Sequence, residues 1–162
     1  MRRMFDKALI SRFNDQRGAV AAIVAVVLTV LLAMTALALD VGHALVARNQ
    51  LQNASDAAAL AGARALGVIY GNMSGSLTGY TLTSGEIANI VNAASVAGAD
   101  NQAAGVTVTV NANDIAIGNW SAATRTFTPT TVLPRAVRVT TRRDGTANGP
   151  ISTFLAGIIG AT

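Results

Sequence analysis

The chain has 162 residues, room for one compact domain with appendages, and its 51% apolar share rests heavily on alanine, with only 4% aromatics. A core of Ala, Val and Ile buries little area per residue, so it is expected to be modest and to lean on a bilayer, a partner or a copy of itself. Charged residues make up 12% and cysteine is absent, which argues against acidic catalytic pairs and excludes disulfides, thiol nucleophiles and thiolate metal sites.

The net charge of +4 is unevenly placed, with Arg2, Arg3, Lys7, Arg12 and Arg17 crowding the N-terminus against Asp6 and Asp15. Residues 18–39, GAVAAIVAVVLTVLLAMTALAL, follow without a charge, and Thr29 and Thr35 are their only hydroxyls. As a helix rising ~1.5 Å per residue, this run is about 33 Å long, enough to cross a hydrocarbon core. Each threonine can return its hydroxyl to a carbonyl one turn back. The basic flank predicts residues 1–17 as a cytoplasmic tail, 18–39 as a transmembrane helix and the remainder outside the cytoplasm. Two processing signals compete with an uncut anchor. RRMFDK at residues 2–7 resembles a twin-arginine export motif, with a small-x-small cleavage site at Ala38 and Leu39. Arg17, Gly18 and Ala19 resemble a prepilin-peptidase site, although Ile23 stands where type IV pilins carry glutamate.

Residues 40–69 contain no proline, and Ala44, Ala47, Leu51, Ala54, Ala58, Ala61 and Ala65 recur at three- and four-residue steps. This is the period of one helical face and of a heptad seam. An alanine-rich helical extension is expected here, continuous with the apolar helix. Residues 70–83 read as a loop, and Thr83 with Glu86 forms a capping-box pattern opening a helix at about 85–97. Alternation over 106–110 and 115–117 predicts two strands joined near 111–114. TRTFTP and RAVRVTTRR predict a second pair of strands. Residues 149–162, GPISTFLAGIIGAT, predict a short apolar helix with Pro150 near its first turn, packed on the sheet or on a partner. The fold class is therefore α+β: a long N-terminal helix on a small antiparallel sheet, with residues 70–162 as an exported domain.

His43 is the sole histidine and is separated from the apolar run by three residues, a poor setting for a catalytic pocket, so it reads as an interfacial polar residue. Asp40 and Asp56 would stand about 24 Å apart along one helix, too far to act together. Asp56 has two readings: a surface carboxylate, or a half-buried acid that pairs with an arginine of the sheet or of a partner. Trp120 reads as a core or sheet-edge anchor, with a binding hot spot as the second reading. Arg135, Arg138, Arg142 and Arg143 read as a solvated strand face. No aromatic residues interleave with them as nucleic-acid binding requires, and no Gly-rich phosphate loop occurs. No catalytic, cofactor or metal residue is assigned. The residues singled out for packing and interaction are Asp40, Leu51, Ala54, Asp56, Ala58, Ala61 and Trp120.

Residues 16–66 closely resemble the N-terminal module of TadG-like proteins of the bacterial Tad (tight adherence, Flp pilus) systems. The matching elements are Arg17, Gly18 and Ala19, the apolar run, Asp40, Val41 and Gly42, Ala47 and Arg48, LQNA at 51–54 and DAAALA at 56–61. The resemblance is looser beyond residue 105, over IAIGNW, AVRVTTRR and GPISTFLAGIIG. It implies an inner-membrane, single-pass, pilin-like component of pilus assembly or secretion, its C-terminal part periplasmic or extracellular. The implied partners are the lipid bilayer, other pilus-assembly proteins and further copies of itself, with no enzymatic role. The alternative is an exported binding or adhesin domain that uses its N-terminus as a signal or tether. Larger members often add a von Willebrand A domain, but its Asp-x-Ser-x-Ser metal run does not occur here.

Overall fold

The computed structural model describes residues 16–159. The N-terminal residues 1–15, with the twin-arginine-like motif and most of the basic tail, lie outside the described residues. The elements in chain order are helix α1 (Gln16–Gly71), helix α2 (Ser84–Ala99), strands β1 (Gln102–Ala103) and β2 (Val106–Thr107), a 3-10 turn (Ala112–Asp114), strands β3 (Ile115–Ser121), β4 (Thr126–Pro129) and β5 (Ala136–Val139), and helix α3 (Phe154–Ile159). The fold is α+β. It divides into two compact units, one of residues up to Val41 plus those from Thr153, the other Gly42–Ser152.

In the first unit, α1 is long and apolar enough to cross a membrane. Its Val, Ile, Leu and Met side chains between Val20 and Leu39 are exposed, up to 71% at Leu32. Thr29 donates its hydroxyl to the Ala25 carbonyl (2.8 Å) and Thr35 to that of Leu31 (2.9 Å), so neither presents an unpaired polar group. At the end of the run, Asp40 takes the first amides of α3. The sequence places this terminal helix on the sheet or a partner; its N-terminus is instead held by α1. It begins four residues after Pro150 rather than on it.

The second unit is built around the small side chains of α1. Ala47, Ala54, Ala58, Gly62 and Leu66 are buried, while Ala61 and Ala65 are half-buried and Ala44 is exposed. The expected seam thus holds at Ala47, Leu51, Ala54 and Ala58 and then slips by one residue. A straight helix turns in 3.6 residues, so a strict 3.5-residue pattern drifts around it by ~20° per heptad. Leu51, half-buried, packs against the cluster of Ala54, Ala58, Ala94, Val108, Val110 and Ile115. A second cluster joins Leu66, Leu82 and Ile90. Leu60 is 73% exposed.

Helix α2 starts as its sequence predicts. The Thr83 hydroxyl accepts the Glu86 amide (3.3 Å), and the Glu86 carboxylate accepts the Thr83 amide (2.8 Å), a complete capping box. The helix runs two residues further than expected, to Ala99. Gly98 faces α1 and the β2–β3 connection so closely that a Cβ there would meet Val110 Cγ2 at 2.5 Å.

The strands pair differently from the sequence reading. β2 pairs with β1 in a two-stranded ribbon (Gln102↔Thr107, Ala103↔Val106), not with β3. The alternation at 108–110 reports burial of Val108 and Val110 in the core, outside any strand. Strands β4 and β5 do not pair with each other either; both are antiparallel to the central β3, in the order β4-β3-β5. Along β3, Ile115 and Ile117 lie opposite Val139 and Val137 and serve the core, while Trp120 lies opposite Phe127. Gly118 lets β4 approach: a Cβ there would stand 2.2 Å from the Thr128 carbonyl oxygen.

Candidate interaction surfaces

Where α1 meets the three-stranded sheet, an open groove of about 700 Å³ is lined by Gln52 and Asp56 from the helix, by Trp120, Phe127 and Arg138 from the sheet and by Arg125 from the β3–β4 turn. The alternation of β3 puts Trp120 on the face away from Ile115 and Ile117. It is 55% exposed, so the core reading of this residue is overturned. Its cross-strand neighbour Phe127 carries the Arg138 guanidinium 4.7 Å above its ring, a cation–π contact. Asp56 is exposed and accepts a hydrogen bond from the Gln52 amide one turn back (2.8 Å). The described residues thus give it a local amide partner and no arginine. The groove therefore presents one carboxylate, two guanidinium groups and an indole, a composition suited to a protein surface. Sequence reasoning missed this juxtaposition, because it depends on β4 and β5 both flanking β3.

The other late arginines are structural. Arg142 forms an ion pair with Asp114. Arg143 gathers three carbonyls, those of Ala103, Gly149 (2.9 Å) and Pro150 (2.9 Å), and so fastens the chain after β5. The solvated-face reading holds for Arg135 and Arg138, which are exposed, and fails for this half-buried pair.

A polar knot closes the opposite end of the second unit. The Tyr80 hydroxyl donates to both Glu86 carboxylate oxygens (2.6 and 2.7 Å), and the Thr83 amide and hydroxyl donate to the same group. The Tyr80 bond, then the two from Thr83, hold the Glu86 carboxyl below its ordinary range, and the same bond to Glu86, followed by desolvation, pushes the Tyr80 phenol above its own. Tyr70 packs edge-on against Tyr80 and donates to the Pro134 carbonyl (2.7 Å); burial raises its phenol, with Arg135 opposing. These are caps and staples around α2. Sequence reasoning found the Thr83 and Glu86 box but not Tyr80, whose partner lies six residues away through a loop.

Of the predicted interaction residues, Ala54 and Ala58 are fully buried in the core of the second unit, and Ala61 is half-buried at the rim of a shallow apolar groove with Val68, Ile69 and Ala93. Asp40 sits half-buried in the first unit, on the amides of α3. Gly18, Ala19, Ala38 and Leu39, the candidate processing positions, are all exposed on α1. His43 is exposed as well, and no group of three His, Cys, Asp or Glu side chains stands together among the described residues.

Residues 18–65 match the family described as putative Flp pilus-assembly TadE/G-like. This segment is TadE/G-like. It takes in the whole exposed apolar run, Asp40 and the small-residue face as far as Ala58 and Gly62, and it covers under a third of the chain. No curated protein and no solved structure matches the chain. The TadE/G-like segment is thus one continuous helix: before Asp40 its large apolar side chains are exposed, and from Ala47 a face of small residues (Ala47, Ala54, Ala58 and Gly62) is buried, while Leu45, Val46 and Leu60 stay exposed on its other sides.

Proposed function

We propose that the protein is a membrane-anchored, pilin-like structural component of an Flp/Tad-type pilus assembly or secretion apparatus, acting through protein–protein contacts and not through catalysis. In this reading residues 1–17 are cytoplasmic, 18–39 cross the inner membrane uncut, 40–69 extend the helix and 70–162 form the exported domain. The observation that carries it is the change within the TadE/G-like helix. Its first part leaves a continuous belt of Val, Ile and Leu uncovered, an area that water does not tolerate on a stable surface but that lipid does. Its second part offers alanine and glycine, which let the other elements of the second unit approach it closely. The groove around Trp120 is the surface on this domain best suited to a neighbouring subunit.

The test is genetic and visual. Removal of the chain from its host abolishes surface fibres seen by electron microscopy, and the full chain restores them. If residues 40–162, exported behind an unrelated cleavable signal, restore fibres equally well, the anchor has no structural part and the exported-adhesin reading takes its place.

A further inference from the structure

The terminal helix α3 bears on how much of the chain touches the bilayer. Its sequence, FLAGII, has no polar side chain. The Phe154 amide donates to Asp40 Oδ1 (2.6 Å) and the Leu155 amide to Asp40 Oδ2 (2.9 Å). One carboxylate on α1 therefore caps a helix 114 residues further along the chain. The first-turn amides of any helix lack partners within it, and an anionic acceptor at that end also meets the positive end of the helix dipole. In water such amides are solvated without help; in or against hydrocarbon they must be satisfied by protein.

The position of the cap sets the depth of α3. Asp40 directly follows the last residue of the apolar run. Ala36, one turn earlier on the same face and so about 6 Å further into that run, is only 6% exposed, whereas Met34, Leu37 and Leu39 around it are all exposed. Within this unit α3 is the one described element besides α1 itself. We infer that α3 is a second membrane-contacting element: it lies against the exported end of the transmembrane helix, at the level of Ala36 to Asp40, with Phe154, 59% exposed, turned to lipid and Asp40 serving as its latch. The occupant of its free face is the bilayer itself, because the exposed Phe154 continues the uncovered apolar belt of α1. The inference rests on the proposed membrane span and refines the exported domain, whose last residues then return to the membrane surface.

The absence of native cysteine allows a clean test. Gly157 on α3 and Gly145 in the loop after β5 each have open space where a Cβ would go, so G157C and G145C in the full chain can carry a small fluorophore in phospholipid vesicles. Carbonate washing first establishes that the chain is inserted. The expected result is that lipids brominated on their acyl chains quench the label at 157 several-fold more than the label at 145, and that aqueous iodide shows the reverse order. Asp40→Ala in the G157C chain then raises iodide quenching to the level seen at 145, and Asp40→Asn, which keeps one acceptor oxygen, gives an intermediate value. A carbonate-resistant chain whose 157 label is quenched by iodide as strongly as the 145 label overturns the inference and leaves the span intact. A chain released by carbonate overturns the span, and the inference with it.

Discussion

Gly98 gives the sharpest test of how the second unit is packed. In a helix interior, Gly→Ala ordinarily stabilises by up to ~1 kcal/mol through the unfolded chain and the helix propensity. At Gly98 the new methyl would sit 2.5 Å from Val110 Cγ2, about 1 Å inside an ordinary carbon–carbon contact of ~3.5–4.0 Å. Val110 has little freedom to move aside. It is buried with Val108 and Ala103, its β-branched side chain has few rotamers, and its carbonyl accepts the Ser95 hydroxyl (3.2 Å). Overpacking of this kind costs ~1–3 kcal/mol, which outweighs the propensity gain and leaves a net loss of about 1–2 kcal/mol. Gly67, on α1 with open space where a methyl would go, is the control: Gly67→Ala gains up to ~1 kcal/mol. Thermal melting of the full chain in detergent, followed by far-UV circular dichroism, reads the difference at about 4 °C per kcal/mol. Gly98→Ala melts several degrees below the parent and Gly67→Ala slightly above it. Combining Gly98→Ala with Val110→Ala costs less than the sum of the two, since the clash is gone. A Gly98→Ala chain as stable as the parent would refute the close approach of α2 to Val110.

Thr83→Ala removes one half of the capping box and costs about 1 kcal/mol of stability in the same melt, as N-cap losses do. The carboxyl of Glu86 titrates below its unfolded value of 4.5, so the stability it contributes is full above pH 4.5 and is lost as pH falls through the lower folded value. Glu86→Gln accordingly flattens the acid limb of a melting-temperature profile between neutral and about pH 3, while leaving the shape above about pH 5 unchanged. Arg142→Ala strands the mostly buried Asp114 carboxylate and costs roughly 1–2 kcal/mol, reduced from the fully buried case because the arginine is partly solvated. Trp120→Ala, at an exposed site, shifts stability by no more than ~0.5 kcal/mol but lowers fibre formation if the groove receives a neighbouring subunit.

Local signals in the chain were legible wherever neighbours in sequence are also neighbours in space. The apolar run, the small-residue seam through Ala58 and the capping box of Thr83 and Glu86 all depend on spacings of three or four residues. The strand pairings were not legible, because which strand takes the centre depends on contacts between distant segments. Alternation at 106–110 looks the same whether its valines face a sheet partner or, as Val108 and Val110 do, plug a core beside α2. Trp120 was misplaced for the same reason: the face it occupies is set by the register of β3 against β4 and β5. Asp40 is plain in the sequence as the end of an apolar run. Its second role, holding the amides of Phe154 and Leu155, joins residues over a hundred positions apart, and no local pattern announces it.

In the proposed function, the TadE/G-like helix anchors this chain in the membrane. Carbonate extraction of host membranes, followed by N-terminal sequencing of the recovered protein, tests it most directly. An anchored, uncut chain is carbonate-resistant and still carries residues 18–39. A carbonate-soluble chain beginning at Leu39 would contradict it.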